Sequence, residues 1–116
     1  MNNIKVSKNF RLREFQCKDG SQLVKVDSKL VTRLQKLRDR IKKPIYITSG
    51  YRTASHNKKV GGSPKSQHLY GRAVDIKVTG MNPKTLAKHA EAVGFDGIGI
   101  YKTFVHVDVR GYKARW

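Results

Sequence analysis

Two short stretches limit what this chain can fold into more than any other feature. Ala73 to Val78 alternates, with Val74, Ile76 and Val78 pointing one way and Ala73, Asp75 and Lys77 the other. A period of two is that of a strand with one buried face. Phe104 to Val109 reads as a second strand, with His106 between Val105 and Val107. Asp108 lies two residues on and shares the face of His106, and Phe104 precedes both on that face. A carboxylate on such an otherwise apolar strand requires a partner.

The rest of the chain supplies elements to pack against these strands. Gly97 to Tyr101 reads as a strand joined to Phe104–Val109 through Lys102-Thr103, short enough for a hairpin. Ile45 to Thr48 reads as another short strand, out of which Ser49-Gly50-Tyr51-Arg52 turns. A first helix starts at Asp27 as N-cap, with Val26 and Val31 as a hydrophobic staple. Its apolar face is Leu30, Leu34, Leu37 and Ile41, and Pro44 stops it. A second helix has Asn82 as N-cap, Pro83 in its first position, a face of Leu86, Ala90 and Val93, and Gly94 past its end. Lys5 to Gly20 reads as an irregular segment anchored by Phe10, Leu12, Phe15 and Cys17, and Asn57 to Lys65 as a loop. The expectation is one α+β domain over residues 1–116, with helices packed on one side of a small antiparallel sheet.

Composition narrows the function classes. With 116 residues the chain can bury one modest core. No apolar run approaches the roughly 18–20 residues needed to span a bilayer. Met1 to Phe15 carries charges throughout and shows no secretion signal, so synthesis in the cytoplasm is expected. The single cysteine, Cys17, excludes an internal disulfide and reads as a small buried apolar residue. Against 8 acidic residues stand 25 Lys and Arg, a net charge of +17. Such a field calls for an anionic partner, either nucleic acid or a bacterial wall rich in phosphate polymers and carboxylates. No finger, helix-turn-helix or basic-aromatic motif supports nucleic acid.

Three side chains are candidate metal ligands: His68 in a loop, Asp75 on its strand seven residues later, and His106. Two imidazoles and a carboxylate are the donor set of a catalytic zinc site, which leaves a fourth position open. Spacing alone does not choose this reading. Taken singly, His106 also reads as a hydrogen-bonded core residue, and Asp75 as a capped or paired carboxylate.

The motifs around these residues resemble a known family. Ser66-Gln67-His68-Leu69-Tyr70-Gly71-Arg72-Ala73-Val74-Asp75 is similar to the Ser-x-His-x-x-Gly-x-Ala-x-Asp signature of the M15 zinc D-Ala-D-Ala carboxypeptidases and related endolysins. Ser49-Gly50-Tyr51-Arg52-Thr53 resembles the block that precedes it, and Phe104-Val105-His106-Val107-Asp108 the closing histidine block. The resemblance implies a hedgehog/D-Ala-D-Ala-peptidase-like fold, zinc held by His68, Asp75 and His106, and a peptidoglycan peptide substrate. The opening Asn9-Phe10-x-Leu12-x-Glu14-Phe15 is most similar to the short phage and prophage branch. That branch implies a lysis enzyme acting on the cell wall, released by a holin-type route.

The resemblance also assigns roles beyond the metal. Arg52 is expected to clamp a substrate carboxylate through paired hydrogen bonds, with Ser66 and Gln67 beside the zinc as further substrate-binding residues. Gly71 is expected to provide a backbone conformation or a close approach that a side chain would block. Asn57 and Gly61-Gly62 are expected at a cleft wall. Relatives place an acid three residues before the last histidine, or a histidine two before it; Thr103 and Phe104 stand there in this chain. Asp108 is then the candidate general base, its alternative role being to orient a histidine. The missing upstream acid also leaves open a non-catalytic zinc-containing module that binds cell wall.

Overall fold

The computed structural model describes residues 2–116. In chain order the elements are β1 (Lys5–Ser7), β2 (Phe10–Arg11), a 3-10 turn (Leu12–Phe15), α1 (Ser28–Ile41), β3 (Tyr46–Ser49) and α2 (Ala54–Lys59). A second 3-10 turn (Gln67–Tyr70), β4 (Ala73–Lys77), α3 (Pro83–Ala92), β5 (Gly97–Ile100), β6 (Val105–Asp108) and β7 (Ala114–Arg115) follow.

Both long helices begin where their caps dictate. The Asp27 side chain accepts from Lys29 N–H, and the Asn82 side chain accepts from Thr85 N–H. α1 ends on Lys42 in the left-handed region, two residues ahead of Pro44. The main sheet has the order β3-β4-β6-β5-β7. Its pairs are antiparallel except for β5 with β7, which is parallel. This last strand departs from the expected all-antiparallel sheet. At two residues it is too short to show a period.

Two further differences are local. Residues 57–59, expected in a loop, complete α2, whose start is capped by the Thr53 side chain accepting from His56 N–H. The opening segment is partly regular, because β1 and β2 pair before the first 3-10 turn. Its expected anchors Phe10, Phe15 and Cys17 are buried.

The register gives the sheet two different faces. β4 and β6 pair Val74 with Val107, Ile76 with Val105, and Asp75 with His106. Val74, Ile76, Ile98, Val105 and Val107 therefore share one face, and they pack into one core with Leu30, Leu34 and Leu37 of α1 and Leu86, Ala87 and Ala90 of α3. Burying such side chains stabilises a fold by about 1.5–3 kcal/mol each before entropy is counted. The other face carries Asp75, His106 and Asp108. Opposite His106 and Asp108 on β5 stand Gly99 and Gly97. The Gly-Ile-Gly-Ile strand is thus apolar toward the helices and bare toward the polar face. A Cβ on Gly97 would strike the Asp108 carboxylate, and one on Gly99 the Trp116 ring.

Candidate metal centre and its cleft

Five polar or charged residues are buried among the described residues: Asn57, His68, Asp75, His106 and Asp108. All five belong to one connected set. A buried polar group without a partner is strongly destabilising, so a network of this kind has to be satisfied throughout.

The set is built around Asp75. Its Oδ1 lies 3.2 Å from His68 Nε2 and 3.2 Å from His106 Nδ1. Its Oδ2 accepts from Arg52 Nη2 at 3.2 Å. His68 is placed by the second 3-10 turn, where Ser66 Oγ accepts from the His68 backbone N–H. Gly71 closes that turn with φ of +68°, and a Cβ there would strike the backbone of Lys25. It thus meets both expectations, conformation and close approach.

The outer nitrogen of each imidazole is engaged. His68 Nδ1 lies 2.7 Å from the Gly50 carbonyl, which can only accept, so Nδ1 carries the proton. His106 Nε2 lies 2.7 Å from Asp108 Oδ2 and donates to it. In the neutral rings, the nitrogens facing Asp75 are then bare acceptors. Two lone pairs and a carboxylate oxygen converge, an arrangement that calls for a cation between them.

The distances suit a metal ion. The three candidate ligand atoms lie within 4.8 Å of one another. Tetrahedral zinc with bonds of about 2.0–2.1 Å places neighbouring ligand atoms about 3.3 Å apart. The observed 3.2 Å separations match that edge. Without a metal, a proton takes the cation's place. Burial works against a charged His106, but bonds to Asp108 and Asp75 outweigh it and raise its pKa. Burial likewise works against ionised Asp75, yet the two histidines hold its carboxyl well below the usual range.

Asp108 lies behind His106. It is fully buried, and it does not line the cleft above Asp75. It touches the far nitrogen of His106 and is clamped by Arg110, whose Nη2 lies 2.7 Å from Oδ2 and whose Nε lies 3.0 Å from each oxygen. Sharing a strand face with His106 put Asp108 beside the ring, but on the side away from the metal ligands. This position corresponds to the alternative expected for Asp108, a contact that orients His106. Burial opposes ionisation of Asp108, and the bonds from His106 and Arg110 override it and hold the carboxyl below the usual range.

A cleft of about 860 Å³ opens over the centre. Arg52, Ser66 and Gln67 line it. One wall is Gly61-Gly62-Ser63, held by Asn57, whose Nδ2 donates to the Ser63 carbonyl at 2.8 Å. Another part of the lining is aromatic. Tyr101 and Phe104 stack at 4.5 Å, and Trp116 lies 5.0 Å from the His106 ring while donating Nε1–H to Tyr101 Oη at 2.8 Å. Sequence reasoning missed this wall, as well as Arg72 and Arg110, which also line the cleft. Glycines at every second position of β5 were its one local signal. His56 and His89 do not line the cleft, and His89 accepts from Arg40 Nε instead.

Residues 8–108 match the sequence profile of the family described as Peptidase M15. The chain belongs to the M15 peptidase family. Its α+β architecture, with α1 and α3 against a small sheet, is the fold expected for that family. The chain is 29% identical over 106 residues to the peptidoglycan L,D-endopeptidase MepK of Escherichia coli, covering 84% of this chain and 58% of that protein. It is 34% identical over 80 residues to the probable peptidoglycan L,D-endopeptidase MepK of Haemophilus influenzae, covering 60% of this chain and 43% of the other. It is 38% identical over 56 residues to the zinc D-Ala-D-Ala carboxypeptidase of Streptomyces albus G, covering 48% and 22%. The chain thus spans somewhat over half the length of the E. coli relative and less of the other two. Among the described residues no helix is long and apolar enough to cross a membrane.

Proposed function

We propose that this chain is a zinc-dependent peptidase domain that hydrolyses peptide bonds in peptidoglycan stem peptides or cross-links. The carrying observation is the convergence of His68 Nε2, Asp75 Oδ1 and His106 Nδ1 beneath an open cleft. Membership of the M15 family and similarity to peptidoglycan endopeptidases support the substrate class. A phage-type lytic role is part of the same reading, motivated by the opening segment and by a basic surface suited to anionic wall polymers.

In this mechanism His68, Asp75 and His106 hold the metal. Bound there, zinc would supply Lewis acidity, polarising a peptide carbonyl and lowering the pKa of a water to roughly 7. The chain keeps the three donors aimed. The Gly50 carbonyl fixes the tautomer of His68, Asp108 fixes that of His106, and Arg52 holds the second oxygen of Asp75. Arg110 in turn keeps Asp108 ionised and in place. Ser66 and Gln67 line the cleft beside the donors as substrate-binding residues.

One observation favours a second reading. Asp75 is the single acid lining the cleft among the described residues, so a separate carboxylate base is not built into it. A module that binds wall without turning it over would fit that feature. Incubating the zinc-loaded protein with purified peptidoglycan and identifying released fragments by mass spectrometry separates the two. New peptide termini support hydrolysis and name the bond; retention on the wall with no released fragment overturns it.

A further inference from the structure

Three tyrosines line the cleft, Tyr70, Tyr101 and Tyr112, and one of them is aimed. Among the described residues only the Tyr101 hydroxyl takes part in a hydrogen bond, accepting from Trp116 Nε1 at 2.8 Å. An indole N–H can only donate, so a lone pair of the phenol oxygen is used and its own hydrogen is turned away from the indole. Among the described residues Tyr101 Oη donates to no acceptor of the chain.

Register fixes where this hydroxyl lies. Gly99 stands opposite His106, and Tyr101 follows two residues on, on the same face of the sheet. Its backbone N–H donates to the Phe104 carbonyl at 3.0 Å, and its ring stacks on Phe104 with an interplanar angle of 6°. Tyr101 is therefore a diagonal neighbour of His106, a separation of about 7–8 Å that an aromatic side chain spans. The indole brings the hydroxyl back toward His106. A Cβ on Gly99 would strike Trp116 Nε1, so this edge of the ring rests on the residue opposite His106. The Trp116 and His106 rings lie 5.0 Å apart, and Tyr101 and His106 line the same cleft. A free O–H donor is held beside one of the three candidate ligands, on the side where a substrate enters.

We propose that Tyr101 is a catalytic residue whose hydroxyl donates a hydrogen bond to the carbonyl oxygen of the scissile peptide. The inference rests on the peptidase reading. Hydrolysis adds water across the C–N bond, its hydroxyl to carbon and its proton to the leaving nitrogen. The Tyr101 proton stays on Oη throughout. The carbonyl oxygen gains negative charge on the way, and a donor already in place stabilises that charge without reorganising.

The test is Tyr101→Phe, which removes the hydroxyl and retains the stack on Phe104. Zinc-loaded wild type and variant are compared on soluble muropeptides. They are also titrated with two phosphinates, which replace the L-Ala–D-Glu and the D-Ala–D-Ala peptide bond by a tetrahedral anion. Competition with a chelator gives zinc affinity. In the variant kcat should fall ~100- to 1,000-fold, the range for losing one such donor, with KM and zinc affinity unchanged. The phosphinate that binds wild type should bind the variant ~10- to 100-fold more weakly, as for a lost hydrogen bond to a charged group. Unchanged kcat or unchanged phosphinate affinity overturns the proposal. So does a rise in KM alone, which places the contact in the ground state. A parallel loss of zinc affinity also overturns it, because Tyr101 then acts only by propping Trp116 against His106. Should Tyr101→Phe fail to fold, Trp116→Phe decides: it releases the hydroxyl from its partner, and unchanged kcat and phosphinate affinity there overturn the proposal. Failure of wild type to cleave muropeptides counts against the peptidase reading. Phosphinate binding then decides alone, and a wild type that binds neither compound overturns the role of Tyr101 as well.

Discussion

Replacing Asp108 by asparagine changes one atom and removes one charge, and the surroundings turn that into a large perturbation. Oδ2 accepts from His106 Nε2 and Arg110 Nη2, while Oδ1 accepts from Arg110 N–H and Nε. An amide retains one oxygen, so in either orientation its NH₂ faces a donor. Breaking a buried ion pair from one side costs about 3–5 kcal/mol. The Arg110 side chain is 17% exposed and can partly rehydrate, which puts the expected loss near the lower end. About 3 kcal/mol in a domain of this size lowers the melting temperature by ~12 °C or more. Loss of the orienting partner of His106 should also weaken zinc binding by ~10- to 100-fold. Urea unfolding of the metal-free protein gives the first quantity, and competition with a chromophoric chelator gives the second. A general base would behave differently: Asp108→Asn would hold zinc as tightly as wild type and lose only turnover, by ~100-fold or more. That pattern would refute the argument from burial.

Other expectations follow from the same geometry. His68→Ala and His106→Ala should each abolish stoichiometric zinc uptake, read by elemental analysis after zinc loading and desalting; retention of one zinc per chain would remove these residues from the ligand set. Gly97→Ala should push the Asp108 carboxylate away from His106 and destabilise by ~1–3 kcal/mol, whereas unchanged urea midpoint and zinc affinity would show that the sheet accommodates the methyl group. In the metal-free protein, Asp75 and Asp108 are held low, so their stabilisation is present above ~pH 4 and lost as pH falls through their folded values. His106 is raised, so its contribution is full below ~pH 6.5 and lost as pH rises through its folded value; the urea midpoint should therefore peak between those limits, and a flat profile would contradict the network. Activity on whole cell walls should fall steeply with salt, because attraction between exposed charges is screened over ~8 Å at physiological ionic strength, while activity on a soluble stem peptide changes little; an equal decline for both would dissociate the +17 charge from wall binding.

The parts of this fold legible in the sequence are those governed by local periodicity and caps. Asp27 and Asn82 start their helices, and alternation puts Asp75 and His106 on the faces of β4 and β6 that avoid the core. The pairing of Asp75 with His106 across the two strands is a matter of register, which neither strand encodes alone. Periodicity also put Asp108 beside His106, but not which ring nitrogen would face it, and that detail separates an orienting residue from a base. α2 escaped because six residues with Asn57 as their single buried side chain have no apolar stripe, although Thr53 offered a cap. The aromatic wall escaped because Trp116 reaches His106 through the pairing of β7 with β5, a contact with no local signature.

The site explains how a small domain tolerates two buried carboxylates. Arg52, Asp75, His106, Asp108 and Arg110 form one string of contacts of 2.7–3.2 Å, in which each acid lies between two basic groups. The string ends on arginines whose side chains are 14% and 17% exposed, so water solvates its termini and protein neutralises its middle. The one position where charge can change is between Asp75 and the two imidazoles, and there a proton or a metal ion completes the alternation. The opposite face of the same strands, Val74, Ile76, Val105 and Val107, is held by α1 and α3. The apolar face thus holds the strands in register, and that register brings Asp75 and His106 together.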